Sequence, residues 1–129
     1  MQLDLRELAS VATELGFDCE LLGAELAVTL APGSILSFQN VTDGDDNAIG
    51  FKGAAWHTHD TLYVTLGGDG HVEYAADEIL IALASGDLLV VEETTKGKVR
   101  DRWLASPRNV DAFSSMEAGD EVRVVCVAR

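Results

Sequence analysis

Positive charge is scarce in this chain. Nine Lys and Arg stand against 22 Asp and Glu, only three of the nine are lysine, and the formal net charge is −13. A field of that size repels nucleic acid and anionic membranes and steers encounter toward basic partners. The imbalance is also uneven. Residues 1–95 carry 17 acids against Arg6 and Lys52 alone, whereas residues 96–129 carry seven bases against five acids. Two plainer readings stand beside a partner-directed role. Acidity keeps a protein soluble, and a chain this poor in lysine also suits a high-salt habitat.

Cysteine is nearly absent. Cys19 and Cys126 have no Cys-x-x-Cys spacing, which excludes a thiolate metal site or a dithiol redox pair, and two buried free thiols are expected. No apolar run approaches the ~20 residues that span a bilayer. The first residues, Met1-Gln2-Leu3-Asp4-Leu5-Arg6-Glu7, lack a basic stretch followed by an apolar one, so no secretory signal is expected and cytoplasm is the expected location. Also missing are a Gly-x-Ser-x-Gly elbow and a phosphate-binding glycine loop, since Gly67-Gly68-Asp69-Gly70 has neither the Lys-Ser/Thr ending nor the dinucleotide spacing.

What remains is a chain long enough for one core, 47% hydrophobic, with no internal repeat or linker. Residues 3–15 show helical periodicity, with Leu5, Leu8, Ala12 and Leu15 on one stripe and Gly16 where a helix commonly ends. Segments 18–22, 25–30 and 35–41 read as strands of an antiparallel meander, punctuated by Gly23-Ala24 and by Ala31-Pro32-Gly33-Ser34. Strand character returns at 49–51, 55–59, 62–66 and 71–74. Residues 75–85 form a second helix, apolar on nearly every side, with Asp77 and Glu78 in its first turn and Gly86 after it; such a helix is expected to be buried. Segments 88–92 and 98–104 pair as a hairpin, 106–116 is a loop or short helix, and 122–127 is a final strand. In 98–104 the period of two puts Lys98, Arg100 and Arg102 on one face and Val99, Asp101 and Trp103 on the other. That pattern predicts a buried Trp103, solvent-facing Arg100 and Arg102, and a basic face that either binds an anion or pairs with acids around it. The expectation is one α+β domain over 1–129: an N-terminal helix, an antiparallel sheet and one buried helix near 75–85.

The only local concentration of reactive groups is Trp56-His57-Thr58-His59-Asp60. In a strand, alternate residues share a face, so His57 and His59 present two imidazoles side by side while Asp60 points the other way. A metal needs at least one more ligand, and Asp60, Asp69, His71 and Glu73 are the nearby candidates. The segment Thr42-Asp43-Gly44-Asp45-Asp46-Asn47 is an exposed acidic loop. It begins like a calcium loop, but Ala48 and Ala54 stand where an EF-hand needs glycine and glutamate.

The 14 residues from His57 to Gly70 resemble the first metal motif of cupins: a His-x-His pair followed by a strand that runs into a glycine turn. The resemblance implies metal ligation by His57 and His59. Thr61 stands nearest the place of that family's glutamate, no histidine follows His71 to supply its second motif, and the helical 75–85 lies where a cupin continues in strands. The pair is also similar to the His-x-His-Pro of zinc isopeptidases, with Asp60 in place of the proline and no Ser-x-x-Asp following at their spacing.

Two functions follow as expectations. The first is a small acidic non-enzymatic protein-binding domain of the immunity or adaptor type, a likeness of charge and size. It would recognise a basic partner through Trp56, His57, His59 and Asp60 together with Asp43, Asp45 and Asp46. The second is a metal-binding protein or metalloenzyme in which His57, His59 and His71 hold a divalent metal.

Overall fold

The structure, a computed structural model, describes residues 2–41, 43–68, 70–114 and 117–129. Asp69, one of the four candidate third ligands, therefore lies outside the described residues, as do Thr42 of the acidic loop and Ser115 and Met116.

Helix α1 (Leu5–Glu14) begins where Asp4 caps it, its Oδ1 accepting the Glu7 N–H at 3.1 Å. It ends in a Schellman arrangement. Phe17 N–H reaches Ala12 O at 2.9 Å and Gly16 N–H reaches Thr13 O at 3.0 Å, with Gly16 at φ +89°. The expected stripe is buried at Leu5, Leu8 and Ala12, and Leu15 is half-buried. Strands β1 (Asp18–Leu22), β2 (Glu25–Ala31), β3 (Ser34–Val41), β4 (Asp46–Phe51) and β5 (His57–Thr58) then form the meander as a five-stranded antiparallel sheet in sequence order. Strands β6 (Thr61–Thr65) and β7 (His71–Ala75) make a separate hairpin, and helix α2 (Ala76–Ser85) follows directly. The last sheet has the order β10-β8-β9, from β8 (Leu89–Thr95), β9 (Lys98–Ala105) and β10 (Asp120–Val125), all antiparallel. The domain is α+β, as expected, with its strands divided among three sheets. Among the described residues no helix is long and apolar enough to cross a membrane.

One main core collects a single face from each element. Leu26, Val28 and Leu30 of β2, Leu36 and Phe38 of β3, and Ile49 and Phe51 of β4 face the two helices, Leu62 and Val64 of the hairpin, and Val90 and Leu104 of the last sheet. Helix α2 buries Ile79, Leu80, Ala82 and Leu83, but Ile81 is 50% exposed, so the helix has an outer face that its composition does not announce. A second, smaller core lies on the other side of the last sheet. There Val91, Trp103 and Ala105 are covered by Val110 and Trp56, and Trp103 Nε1–H donates to Val110 O at 2.9 Å.

The hairpin β8–β9 corrects part of the sequence reading. Trp103 is buried as expected, but Arg102 is not solvent-facing. A bulge between Glu93 and Thr94 pairs Glu93 with Asp101 and Thr94 with Val99, skipping Arg100. Arg102, only 14% exposed, donates through Nε to Glu92 Oε2 at 3.1 Å, and Arg123 of β10 donates to Glu92 Oε1 at 2.5 Å. Glu92 is buried and thus tied to both neighbouring strands. Arg100 grips Glu117 through both terminal nitrogens, at 2.5 and 3.0 Å, which holds that carboxyl below the usual carboxylate range. Of the basic face, Arg100 and Arg102 are paired with acids.

Both cysteines are free. Cys19 is half-buried against α1, but Cys126 is exposed, contrary to the expectation of two buried thiols. Val125 and Val127 on either side of it pack against the main core, so Cys126 between them faces outward.

Two substitutions test this packing. Ile79→Asp places an unpaired carboxylate in the core and should lower stability by about 3–5 kcal/mol, while Ile81→Asp should stay within about 0.5 kcal/mol. Urea unfolding of both variants measures the contrast; equal effects would mean that α2 presents a different face. Arg102→Ala leaves buried Glu92 with Arg123 alone and should cost about 3 kcal/mol, much of it recovered in the Glu92→Leu/Arg102→Leu double variant. A double variant no more stable than Arg102→Ala would show that the ion pair is itself stabilising relative to an apolar replacement.

Candidate functional site

The geometry around the histidine pair begins at Gly50. It pairs with His57 across β4 and β5, and a Cβ there would lie 2.8 Å from Trp56 O and 2.9 Å from the His57 Cβ. Only glycine lets the short strand approach this closely, which fixes Trp56 and His57 against the sheet. Strand character expected over 55–59 survives only at His57 and Thr58. The chain then turns sharply: Thr61 N–H donates to His59 O at 2.6 Å, and Asp60 adopts φ +62°. Asn47, fully buried, stabilises that conformation. Its Nδ2–H donates to Asp60 Oδ1 and its Oδ1 accepts the Asp60 N–H, both at 2.7 Å. The sequence reading missed Asn47, having placed it in a solvated loop. In fact Asp46 and Asn47 open β4, and Asn47 faces the core where strand alternation sends it.

His57 and His59 do lie together, with ring centroids 5.1 Å apart and planes at 86°. A turn brings this about, and not strand alternation. His57 Nδ1–H donates to Ala55 O at 3.0 Å, and His59 Nδ1–H donates to Asn47 O. A carbonyl can only accept, so each Nδ1 is the donor in these bonds and each Nε2 is the ring nitrogen not engaged by them. Asp46 Oδ1 stands 3.6 Å from His59 Nδ1. Asp43, Asp45, Asp46 and Asp60 are all exposed.

His71 is placed elsewhere. It stacks on Tyr63 across the β6–β7 hairpin, centroids 4.6 Å apart and planes at 20°, with Glu73 directly opposite Tyr63 in the register. Among the described residues no group of three or more His, Cys, Asp or Glu is arranged to hold a metal ion. The structure therefore brings together two of the three histidines proposed as ligands and leaves the third on another hairpin. The separation arises because β6 and β7 pair only with each other, while His57 belongs to the five-stranded sheet.

Trp56 is half-buried and joins the histidine corner to an aromatic array. Its ring lies 6.3 Å from Phe51 and 5.9 Å from Phe113, and Phe113 lies 6.4 Å from Trp103. Its backbone N–H donates to Asp101 Oδ1 at 3.3 Å. Phe113 also lines a cleft of about 270 Å³ between the β6–β7 hairpin and the loop over 106–114, opposite Tyr63 in chain terms and floored by Val64, Leu104 and Ala105. The only hint of Phe113 in the sequence is a large aromatic residue isolated in a polar loop.

On the outer face of the five-stranded sheet, His57 shares a shallow trough with Glu25, Ser37 and Lys52. Ser37 Oγ–H donates to Glu25 Oε2 at 2.6 Å and Lys52 Nζ stands 3.2 Å from Oε1. The Ser37 hydrogen bond and the Lys52 charge hold the Glu25 carboxyl below the usual carboxylate range, against its partial desolvation. A lowered pKa in the folded state adds stability that is present above the unfolded pKa and lost as pH falls through the folded one. Glu25→Gln should therefore lose less stability than wild type between about pH 6 and about pH 3, as read by thermal melting. Parallel curves would show that the pairing has no energetic weight. Comparison with protein-family models, curated proteins and solved structures finds no match for this chain.

Proposed function

We propose that this is a non-enzymatic protein-binding domain that recognises a basic partner, in the manner of immunity and adaptor proteins. The observation that supports the reading most is two groups of side chains that meet at the trough lined by Trp56 and His57: Asp46 against His59 and His59 against His57, and Trp56 against Phe113. Asp43 and Asp45 precede Asp46 in the turn before β4, Asp60 follows His59, and all three are exposed. An amphipathic aromatic residue ringed by charge is what a protein interface concentrates, and the chain's net charge of −13 accelerates encounter with a cationic surface.

The test is capture from extract of the source organism on immobilised protein. Wild type should retain a basic protein at about 50 mM salt and release it as salt rises. The Asp43→Asn/Asp45→Asn/Asp46→Asn variant should associate about tenfold more slowly, since rim charges act mainly on the on-rate. Equal retention by the variant, or retention of no basic protein, would sink the reading.

One observation favours metal binding as a second reading: both Nε2 atoms are left open by Nδ1–H bonds to carbonyls, the orientation that ligating histidines take. Calorimetric titration with zinc, nickel or manganese separates the two. Sub-micromolar affinity in wild type, abolished in His57→Ala/His59→Ala, would assign the corner to a metal.

A further inference from the structure

We propose that the cleft between the β6–β7 hairpin and the 106–114 loop is the anchor pocket for an arginine side chain of the basic partner; the inference rests on the partner-binding reading above. The chain has few aromatic residues, 6% in all, and most are packed inside. Tyr63 and Phe113, at 51% and 48% exposed, are the aromatic members of the exposed apolar set, and both line this one cleft. Large exposed aromatics gathered at a concave apolar site mark a binding surface, and interface hot spots are anchors seated in such pockets.

The chemistry of the cleft selects the occupant. Its floor of Val64, Leu104 and Ala105 suits the alkyl stem of a long side chain. Its volume of about 270 Å³ falls below the range of pockets that hold drug-sized ligands, so a single side chain is the better fit. Tyr63 and Phe113 are the aromatic residues of its lining, and both are exposed. His71 stacks on one side of Tyr63 and steadies the ring. Glu73 lies directly across the strand pair from Tyr63, and Asp111 is exposed two residues before Phe113, against Arg108 as the one cation of that loop. Arginine fits better than lysine because its planar, weakly hydrated guanidinium stacks on aromatic faces. The cleft is also shaped in advance. Asn109 Nδ2–H donates to Thr65 Oγ1 at 2.6 Å, tying the loop to the hairpin. Trp56 contacts the ring of Phe113, so the pocket continues the histidine corner.

N-acetyl-arginine methylamide, titrated at low salt and followed by ¹H–¹⁵N NMR, is the direct probe, with its neutral citrulline counterpart as control. Arginine should shift the amides of Val64, Thr65, Ala105 and Ala112 and the Asn109 side chain saturably, and citrulline should bind several-fold more weakly. Phe113→Ala should weaken the arginine complex about two- to fivefold, the span of a partly exposed cation–π contact, while Ile81→Ala, on the exposed outer face of α2 away from the cleft, leaves it unchanged. Both positions are exposed, and a melting curve matching wild type verifies that each variant folds. Equal binding of citrulline, shifts centred on Asp43, Asp45 and Asp46, or no effect of Phe113→Ala would each overturn the proposal. A captured basic partner separates this inference from the one beneath it. Full affinity for Phe113→Ala overturns the cleft and leaves partner binding standing, whereas an arginine probe that seats in the cleft of a protein capturing no basic partner supports the cleft and overturns the partner reading.

Discussion

Each of the three sheets here is too small to bury both its faces, and the fold depends on their sharing one apolar interior. A two-stranded hairpin such as β6–β7 is marginal alone in water. It persists because Leu62 and Val64 enter the same core as Leu26, Phe38 and Ile49 of the large sheet and Val90 and Leu104 of the last one. The two helices close that core. Helix α1 supplies a single stripe, and its start is clasped to the end of β3, where Leu3 N–H donates to Asn40 Oδ1 at 2.7 Å and Asn40 Nδ2–H donates back to Leu3 O at 3.0 Å. The C-terminal segment completes the enclosure through Ala128 N–H to Leu30 O at 2.7 Å.

Electrostatics follows from this layout. Three of the basic residues of the C-terminal third, Arg100, Arg102 and Arg123, are brought onto carboxylates by β8–β10. Glu92 sits between Arg102 and Arg123, and Glu117 and Asp120 sit on Arg100. Buried Glu92 would be costly without its arginines, so the sheet's register and its ion pairs are mutually dependent. Exposed carboxylates are spread over the rest of the domain, on α1, β1, α2 and the loop before β4 alike.

Trp56, beside the histidine corner, is where the two cores meet. Trp56 packs on Phe51 of the main core and also against the second core around Trp103, so it cannot rotate away without loosening both. An aromatic residue held this way keeps its exposed edge in one place, and an anchor fixed before binding costs less entropy to engage. The histidines are held as firmly, each by a backbone carbonyl, and Asn47 locks the turn that carries Asp60. The loop over 106–114 then extends the surface with Phe113.

The local pattern of the chain decided much of this. Periodicity of 3.6 placed α1 and α2 within a residue or two, and period two placed nearly every strand, because half-buried elements must alternate apolar and polar positions. The burial of Trp103 followed from the same rule. Three things were decided only in three dimensions. The bulge at Arg100 and the burial of Arg102 depend on Glu92 and Arg123, one on a neighbouring strand and the other 21 residues further along the chain. The separation of His71 from His57 and His59 depends on which strands pair, and nothing in a single strand's sequence carries that choice. The role of Asn47 and the gathering of Tyr63 and Phe113 depend on contacts across 13 residues in one case and between a hairpin and a distant loop in the other. Side-chain alternation is a property of neighbours along the chain and can be read there; partnership between distant segments is settled by packing, where volume, charge and hydrogen bonds are satisfied together.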